Sequence, residues 1–578
     1  MKNVYWKEVL SLSNMISYFD AYPDQAQYRP NNQGHIVVEI AGNIDVTLTL
    51  KVRFMELEKL IYHCQTDIDL KKEIQNRLLI PFRTENRKWQ CIGVDMSLYN
   101  HNQLILTKST AYDVADHWGL APRYGFLSDF QSEESEKLDD ILFLNKFHIN
   151  LVQFYDWMYR HDDLIPHKNH FKDPMGRALS YEVITEKRKA AQKRGMAAIA
   201  YGAVYAALKD YYQSHKQQAL YKRNGEPFNL IDRFFIMDVS PDSQWTAKII
   251  SEFVKVIQEG FDGIHLDQYG FPKKALRHPF NENKVVDLST CYPKLINKLR
   301  EKLNHINDRA VLIFNNVSNY PVWETAKAKQ DVVYIEVWPP VKHYYELKQL
   351  IDRGRSLSGK QVVLAAYLPL FKNKLDYIKA ENDALITMAT IFASGGYHLL
   401  LGEHNCVLAT AYYPDHVKMR DSFAKEVRHY YDFIVRYGNL LYSFDLHDVS
   451  MTYTGGINTE VQFQGKSEVS PNGDCNTVWS LIKNSSHYMV IHLVNLVGIE
   501  NDLWGIGKKA RPTVENNIIC SVLMEHQVES LISASPDQLA GRPVPLKYEI
   551  VDHKQGRAIR FVVPLLKIWD MIVIKWRN

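Results

Sequence analysis

The sequence predicts a mixed α/β protein: a central (β/α)8 TIM barrel, with an immunoglobulin-like β-sandwich before it and an antiparallel β-sandwich after it. Three observations predict it. Residues up to about 110 alternate apolar and polar with period two; strand and helix patterns then alternate eight times; and the chain returns to strand-like runs after about 440. At 578 residues the chain is longer than one ordinary core, and the expected domains are 1–113, 114–440 and 441–578.

In the first region "VTLTLKVRF" places Val46, Leu48, Leu50, Val52 and Phe54 on one face and Thr47, Thr49, Lys51 and Arg53 on the other. The preceding "PNNQGH" is a turn cluster, and a helical interruption is expected near 66–79. The eight expected barrel strands are "INLVQFYDW", "MAAIAYGAV", "RFFIMDVS", "FDGIHLDQY", "AVLIFNNV", "VVYIEVW", "VVLAAYL" and "GGYHLLLG". Helical patterns separate most of them, among them "SYEVITEKRKAAQKRG", "SQWTAKIISEFVKVIQEG" and "CYPKLINKLREKL". A doubly wound open sheet is disfavoured because no G-x-G-x-x-G follows the first strand. Beyond 440, "HYMVIHLVNL", "RAIRFVVPLL" and "MIVIKW" read as strands between Gly, Pro and Asn clusters.

Composition removes several function classes. A net charge of +3 without a long Lys/Arg block argues against nucleic acid, whose phosphates demand concentrated positive charge. Cys64, Cys91, Cys291, Cys406, Cys475 and Cys520 are scattered without a CxxC pair, as free thiols are. No run of 18 apolar residues occurs, so no membrane span is expected. "MKNVYWKEVLSLSNMISYFDAYPD" lacks the apolar core of a signal peptide. If Met1 is the native start the protein is expected in the cytoplasm; the alternative is export with a leader outside this sequence. With 34 Tyr and 11 Trp the chain is rich in rings, which serve either large cores or stacking on sugars and bases.

The chemistry concentrates in two strands. In "FDGIHLDQYG", Gly263, His265 and Asp267 share one face and Ile264 and Leu266 the other. In a barrel the apolar pair meets the outer helices, and Asp267 points inward near the C-terminal rim, where barrel active sites lie. "VVYIEVWPP" repeats the pattern: Tyr334, Glu336 and Trp338 share a face opposite Val333, Ile335 and Val337. Two carboxylates converging on one pocket meet the requirement of glycoside hydrolysis. Parity alone leaves open two acids merely paired with Arg or His in the barrel mouth. Asp262, of helix-facing parity, is expected to be structural.

The pairing of "DGIHLDQYG" with "YIEVW" resembles glycoside hydrolase family 66, the dextranases and cycloisomaltooligosaccharide glucanotransferases. "APRYGFLSDF" at the barrel entrance, "QFYDWMYRHDDLIP" and "GGYHLLLGE" are similar to that family too, in the same order. The resemblance spans most of the chain. It implies Asp267 as catalytic nucleophile, Glu336 as general acid/base, and retaining cleavage of α-1,6-linked glucans. Asp267 must then be ionised while Glu336 first holds a proton, so burial or repulsion should raise the Glu336 pKa. Retention also asks for carboxyl groups about 5–5.5 Å apart.

Candidate substrate-binding residues are Tyr155, Asp156, Trp157, His161, Tyr201, Asp238, His265, Gln268, Asn315, Asn316, Trp338, Tyr367 and Glu403. The rings of Tyr155, Trp157, Tyr201 and Trp338 are candidate stacking platforms, and His265 could bond either Asp267 or sugar. The glucanotransferases of the family carry an inserted carbohydrate-binding module between barrel and last β-domain. Too few residues follow Gly402 for one here, which favours hydrolysis over cyclisation. No cofactor and no metal are expected. A metal-dependent hydrolase would need ligands beside His265 and Asp267; His161, His398 and His404 are available, but no His-x-His ends the first strand. A non-catalytic glucan-binding protein is the remaining alternative, against which stands the presence of both acids. The expected partner is an α-glucan or isomalto-oligosaccharide; the oligomeric state is not legible.

Overall fold

Short runs such as "VVYIE" and "GIHLD" are buried on both faces, the condition of a parallel sheet covered by helices. The computed structural model describes residues 15–280 and 284–577, so most of the stretch read for a leader, 1–14, lies outside the described residues. Its centre is a curled 11-stranded sheet. Eight parallel segments follow chain order: Tyr124–Leu127, Leu151–Phe154, Ala197–Ala203, Gly263–Asp267, Val311–Val317, Val332–Glu336, Val362–Ala365 and an interrupted eighth over 397–402. The eighth pairs with the seventh through Tyr397–His398 and with the first through Leu401–Gly402. Helices Asp139–Lys146, Tyr181–Lys193, Gln244–Gln258, Leu288–Leu303, Val322–Thr325, Tyr344–Ser358, Tyr377–Ala393 and Asp421–Arg436 follow these strands in turn.

Local chemistry starts these helices. Ser180, Ser243 and Asp287 each accept a hydrogen bond from a backbone N–H of the first turn behind them. Helix Tyr377–Ala393 is buried from Ala380 to Ala393, because it lies between the central sheet and the C-terminal strand Tyr488–Asn495. Its "DALITMATIFA" is apolar nearly all round, as such a position requires. At the start of the fourth strand a Cβ on Gly263 would lie 2.4 Å from the Val311 carbonyl oxygen. Only glycine lets the fourth and fifth strands approach there.

Two expectations are corrected. "RFFIMDVS" is not a strand of the central sheet; Phe234–Ile236 belongs to a separate 3-stranded sheet. Its place is taken by Tyr124–Leu127, so Asp267 and Glu336 still end the fourth and sixth strands. The helix expected near 66–79 is absent: Lys59–Leu70 and Gln75–Arg83 are strands, each at the edge of its sheet. Charged and polar on most exposed positions, they carry the residues that keep edges from pairing further.

Before the central sheet, a 3-stranded and a 4-stranded antiparallel sheet enclose one apolar cluster. The "VTLTLKVRF" alternation holds, with Leu48, Leu50, Val52 and Phe54 buried. After it, a 7-stranded and a 4-stranded sheet enclose another cluster, built in part by Ile491, Leu493, Phe561 and Ile574. No helix among the described residues is long and apolar enough to cross a membrane. The six cysteines are free thiols.

Ion pairs tie the N-terminal sheets to the central one. Asp113, in the last N-terminal strand, receives both guanidinium nitrogens of Arg123, at 2.7 and 3.0 Å. Both side chains are buried. Arg123 also donates to the carbonyls of His148 and Ala26, and Gln27 donates to Asp113. Asp113→Ala leaves a buried guanidinium without its counter-charge, an expected cost of about 3–5 kcal/mol. Thermal and urea unfolding should show clearly lower midpoints than wild type; unchanged midpoints would make the pair dispensable.

Candidate active site

Adjacent parallel strands bring the acids together. Leu266 pairs with Phe314, and Val317 with Glu336, so the C-terminal ends of the fourth, fifth and sixth strands stand side by side. Asp267, Asn315 and Glu336 line one cavity of about 450 Å³, while Ile264 and Leu266 are wholly buried in the apolar cluster outside it. The parity read from the sequence therefore holds on both strands.

One amide spans the pair. Asn315 Nδ2 donates to Asp267 Oδ1 at 2.7 Å and to Glu336 Oε2 at 3.0 Å. The second oxygen of each acid has its own phenol: Tyr201 donates to Asp267 Oδ2 at 2.6 Å, and Tyr367 to Glu336 Oε1 at 2.7 Å. Burial first, and then the Glu336 charge, push Asp267 up to about 7, against the pull of the Tyr201 and Asn315 donors. Burial likewise raises Glu336, again opposed by Asn315 and Tyr367. Two such neighbours cannot both ionise cheaply, and the pair retains one proton toward neutrality.

The candidate residues divide by where their polar atoms go. Tyr155, Tyr201, His265, Gln268, Asn315, Trp338 and Tyr367 line the cavity with the two acids. Within that set, Tyr201 serves as a donor to Asp267. His265 meets the hydroxyl of Tyr124 at 3.1 Å and takes no part in a bond to Asp267. Gln268 spends its amide on the Asn315 and Tyr320 carbonyls. The face of Tyr155 is stacked on Tyr413, 4.2 Å between centroids. Trp338, 38% exposed, stands edge-on to Tyr367 and offers a ring to solvent.

Others are corrections. Trp157 is fully buried, donates to the Tyr201 carbonyl and packs on Phe261, so it belongs to the core. His161 is buried edge-on to Phe234, and burial depresses it to about 3. Asp238 is held by Ser240 and Arg277. Asn316, of the opposite parity to Asn315, bonds the Phe314 and Tyr334 carbonyls and Thr325. Glu403 is sealed beneath Ser128, Asp129 and His416. None of these five lines the cavity.

Asp156 does not line the cavity either, but its buried carboxyl accepts no hydrogen bond among the described residues. Burial raises it to about 7, with Asp267 among the charges it feels. Asp262 bonds Gln192 and the Ala198 amide and is structural, as expected. Gln153, Tyr269, Ser318 and Tyr413 line the cavity and were not singled out from sequence. Three of the four lie past strand ends, where period two no longer points; Gln153 shares the inward face of "LVQF" and parity could have found it. Among the described residues, the acid–histidine groups able to share an ion are Asp129/Glu134/His404 and Asp140/Glu403/His404. Neither lines this cavity, and Lys187 already bridges Glu134 and Asp140.

Two acids clamped across one amide at the C-terminal ends of parallel strands, in a wall of phenols, form the kind of carboxylate pair that glycoside hydrolases use. Comparison makes the assignment: the model of glycosyl hydrolase family 66 matches residues 23–573, and the chain belongs to that family. It is 24% identical to a cycloisomaltooligosaccharide glucanotransferase of Niallia circulans, over 96% of this chain and 72% of that protein. A dextranase of Streptococcus salivarius is 23% identical, over 82% of this chain and 66% of that one. The crystal structure of a Paenibacillus sp. cycloisomaltooligosaccharide glucanotransferase complexed with cycloisomaltoheptaose shares the fold: TM-score 0.87, 21% identity, 96% of this chain and 99% of that one.

The shared proton sets a pH dependence. If the singly protonated pair is the active form, activity should fall as pH rises through about 7 and also at low pH as the second carboxyl protonates. Tyr201→Phe removes a donor that favours ionised Asp267 and should move the kcat/KM profile up by about one pH unit. A profile flat from pH 5 to 9, or unmoved by this substitution, would contradict the assignment.

Proposed function

We propose that the protein hydrolyses α-1,6-glucosidic linkages of dextran or isomalto-oligosaccharides with retention of configuration. The observation that carries this reading is the Asn315 clamp. Hydrogen bonds of 2.7 and 3.0 Å from one nitrogen cap the separation of the bonded carboxylate oxygens below the range of about 6.5–9.5 Å that inverting enzymes use to seat a water. That closeness supports direct attack by one acid on the sugar carbon.

In this reading the pair's one proton moves to Glu336 when substrate binds; the Asp267 carboxylate then attacks the anomeric carbon, and Glu336 gives that proton to the departing glycosidic oxygen. Esterification removes the Asp267 charge, so one cause of proton retention disappears and Glu336 is free to act as base. It then takes a proton from water, whose oxygen displaces Asp267 from the anomeric carbon. Tyr201 and Tyr367 hold the outer oxygens, and the curled sheet, acting as a (β/α)8 barrel, fixes the geometry on rigid elements.

Names of relatives support the substrate class. The dextranase names a glucan, and the Paenibacillus glucanotransferase was crystallised with an isomalto-oligosaccharide ring. Glucanotransfer is the second reading, favoured because the relatives include glucanotransferases. The two readings share the glycosyl-enzyme and differ only in whether water or a sugar hydroxyl receives it. The alignment with the Niallia circulans enzyme spans 717 positions against 578 residues here, so parts of that relative have no counterpart in this chain.

Asp267→Ala and Glu336→Gln are each expected to lower kcat on dextran by about 10³-fold or more without unfolding the protein. Azide should restore turnover to Asp267→Ala and yield a glycosyl azide of inverted configuration. With Glu336→Gln it should intercept the glycosyl-enzyme and give net retention. Products from dextran and isomaltotriose separate the readings: reducing ends for hydrolysis, longer or cyclic glucans for transfer. A fully active variant at either acid would overturn the proposal.

A further inference from the structure

A second concave site lies in the N-terminal sheets, where a cavity of about 510 Å³ opens between the strands of the two layers. No residue lining it lines the catalytic cavity. Its floor and wall are rings. Phe82 stacks on Tyr112 with centroids 4.1 Å apart, Tyr28 braces both edge-on, and Phe54 lies tilted beneath Tyr62. Tyr62 is 50% exposed and presents its ring to the opening.

Polar groups in this cavity lack partners. Gln90 is 4% exposed and lines the cavity, yet its side-chain amide makes no hydrogen bond to any described residue. Nor does the hydroxyl of Tyr112, itself 6% exposed. Both groups open onto the cavity, so an amide and a phenol hydroxyl beside the exposed Tyr62 ring are free to bond a ligand seated there. Charge is nearly balanced: Glu85 is paired with Arg87 and His35 with Asp24, and Arg83 at the rim has no ion pair among the described residues.

We infer that this groove is an auxiliary glucan-binding site, which takes a glucosyl segment of the polymer remote from the bond being cleaved. An uncharged ring with hydroxyls on its edge and C–H groups on its face matches the lining: amide and phenol meet hydroxyls, Arg83 donates to them, and the rings take the apolar face. The inference rests on the α-glucan reading of the active site. A site of this kind raises the residence of long chains and leaves short ones unaffected.

The test uses the full chain with Tyr62→Ala and Arg83→Ala, both surface substitutions, on long dextran and on isomaltotriose. The expected result is a rise in KM for dextran of about 3–10-fold with kcat/KM for isomaltotriose unchanged. In dextran-containing native gels, Asp267→Asn should be retarded, and Asp267→Asn/Tyr62→Ala should be retarded less. Equal dextran KM and equal retardation in an enzyme that cleaves isomaltotriose would overturn the groove alone. Loss of retardation with Tyr62→Ala in a protein that cleaves no α-1,6-glucan would uphold the groove and overturn the active-site reading. Absence of both retardation and cleavage would overturn both.

Discussion

Two carboxylates buried within reach of a single amide nitrogen set the terms for everything around them. Asp267 stands well above its ordinary 3.8, at about 7, so its ionised form is costlier folded than unfolded. The sign follows: the folded state binds more protons in that window, and this site's contribution to stability falls as pH rises from about 3.8 to about 7. Glu336, raised in the same direction, adds to the cost. The remaining structure must hold the acids together against their own repulsion.

It does so with rigid elements. Asp267, Asn315 and Glu336 lie on three consecutive strands in parallel register, and the outer donors Tyr201 and Tyr367 come from the third strand and just past the seventh. The flanking sheets clamp the same frame. Asp113 and Arg123 join the N-terminal sheets to the chain entering the first strand. Arg436, at the end of the helix after the eighth strand, pairs with Asp95 of those same sheets. On the other side, Asp383 within the buried helix Tyr377–Ala393 accepts from Tyr344 and from the Gly507 amide. Each junction is a polar bond whose loss is expensive where it is buried, and together they tie the flanking segments to the frame that carries the acids.

What the sequence made legible was periodicity; what it hid was partnership. Asp267 and Glu336 followed from alternation along strands buried on both faces, a signal that depends only on chain geometry. The same rule separates Asn315 from Asn316, since neighbours must face opposite ways, and both being candidates overlooked it. Asp238, Glu403 and His161 sit near strand ends, but Arg277, Ser128 and Phe234 occupy their polar atoms or faces, and those partners are remote in sequence. "RFFIMDVS" and "YGFL" are both short apolar runs, and periodicity cannot rank them; only pairing across the sheet does. Within the polar edge strands over 59–83, the stretch 66–79 reads as helix for the related reason that neither face is fully buried.

The described residues lining the cavity of the two acids include six tyrosines and one tryptophan but no lysine or arginine, and the chemistry of the pair explains that choice. A cation beside the pair would favour two ionised carboxylates, and the pair would keep no proton. A purely apolar wall would leave both acids and the sugar hydroxyls without donors. Phenols avoid both faults: Tyr201, Tyr334 and Tyr367 are held well above the ordinary phenol pKa by burial, so they stay neutral while donating. Tyr201 and Tyr367 thereby bond the acids without cancelling the repulsion that keeps one proton in the site. The tyrosine richness that composition left ambiguous between packing and recognition is, at this cavity, a way of supplying hydrogen bonds without supplying charge.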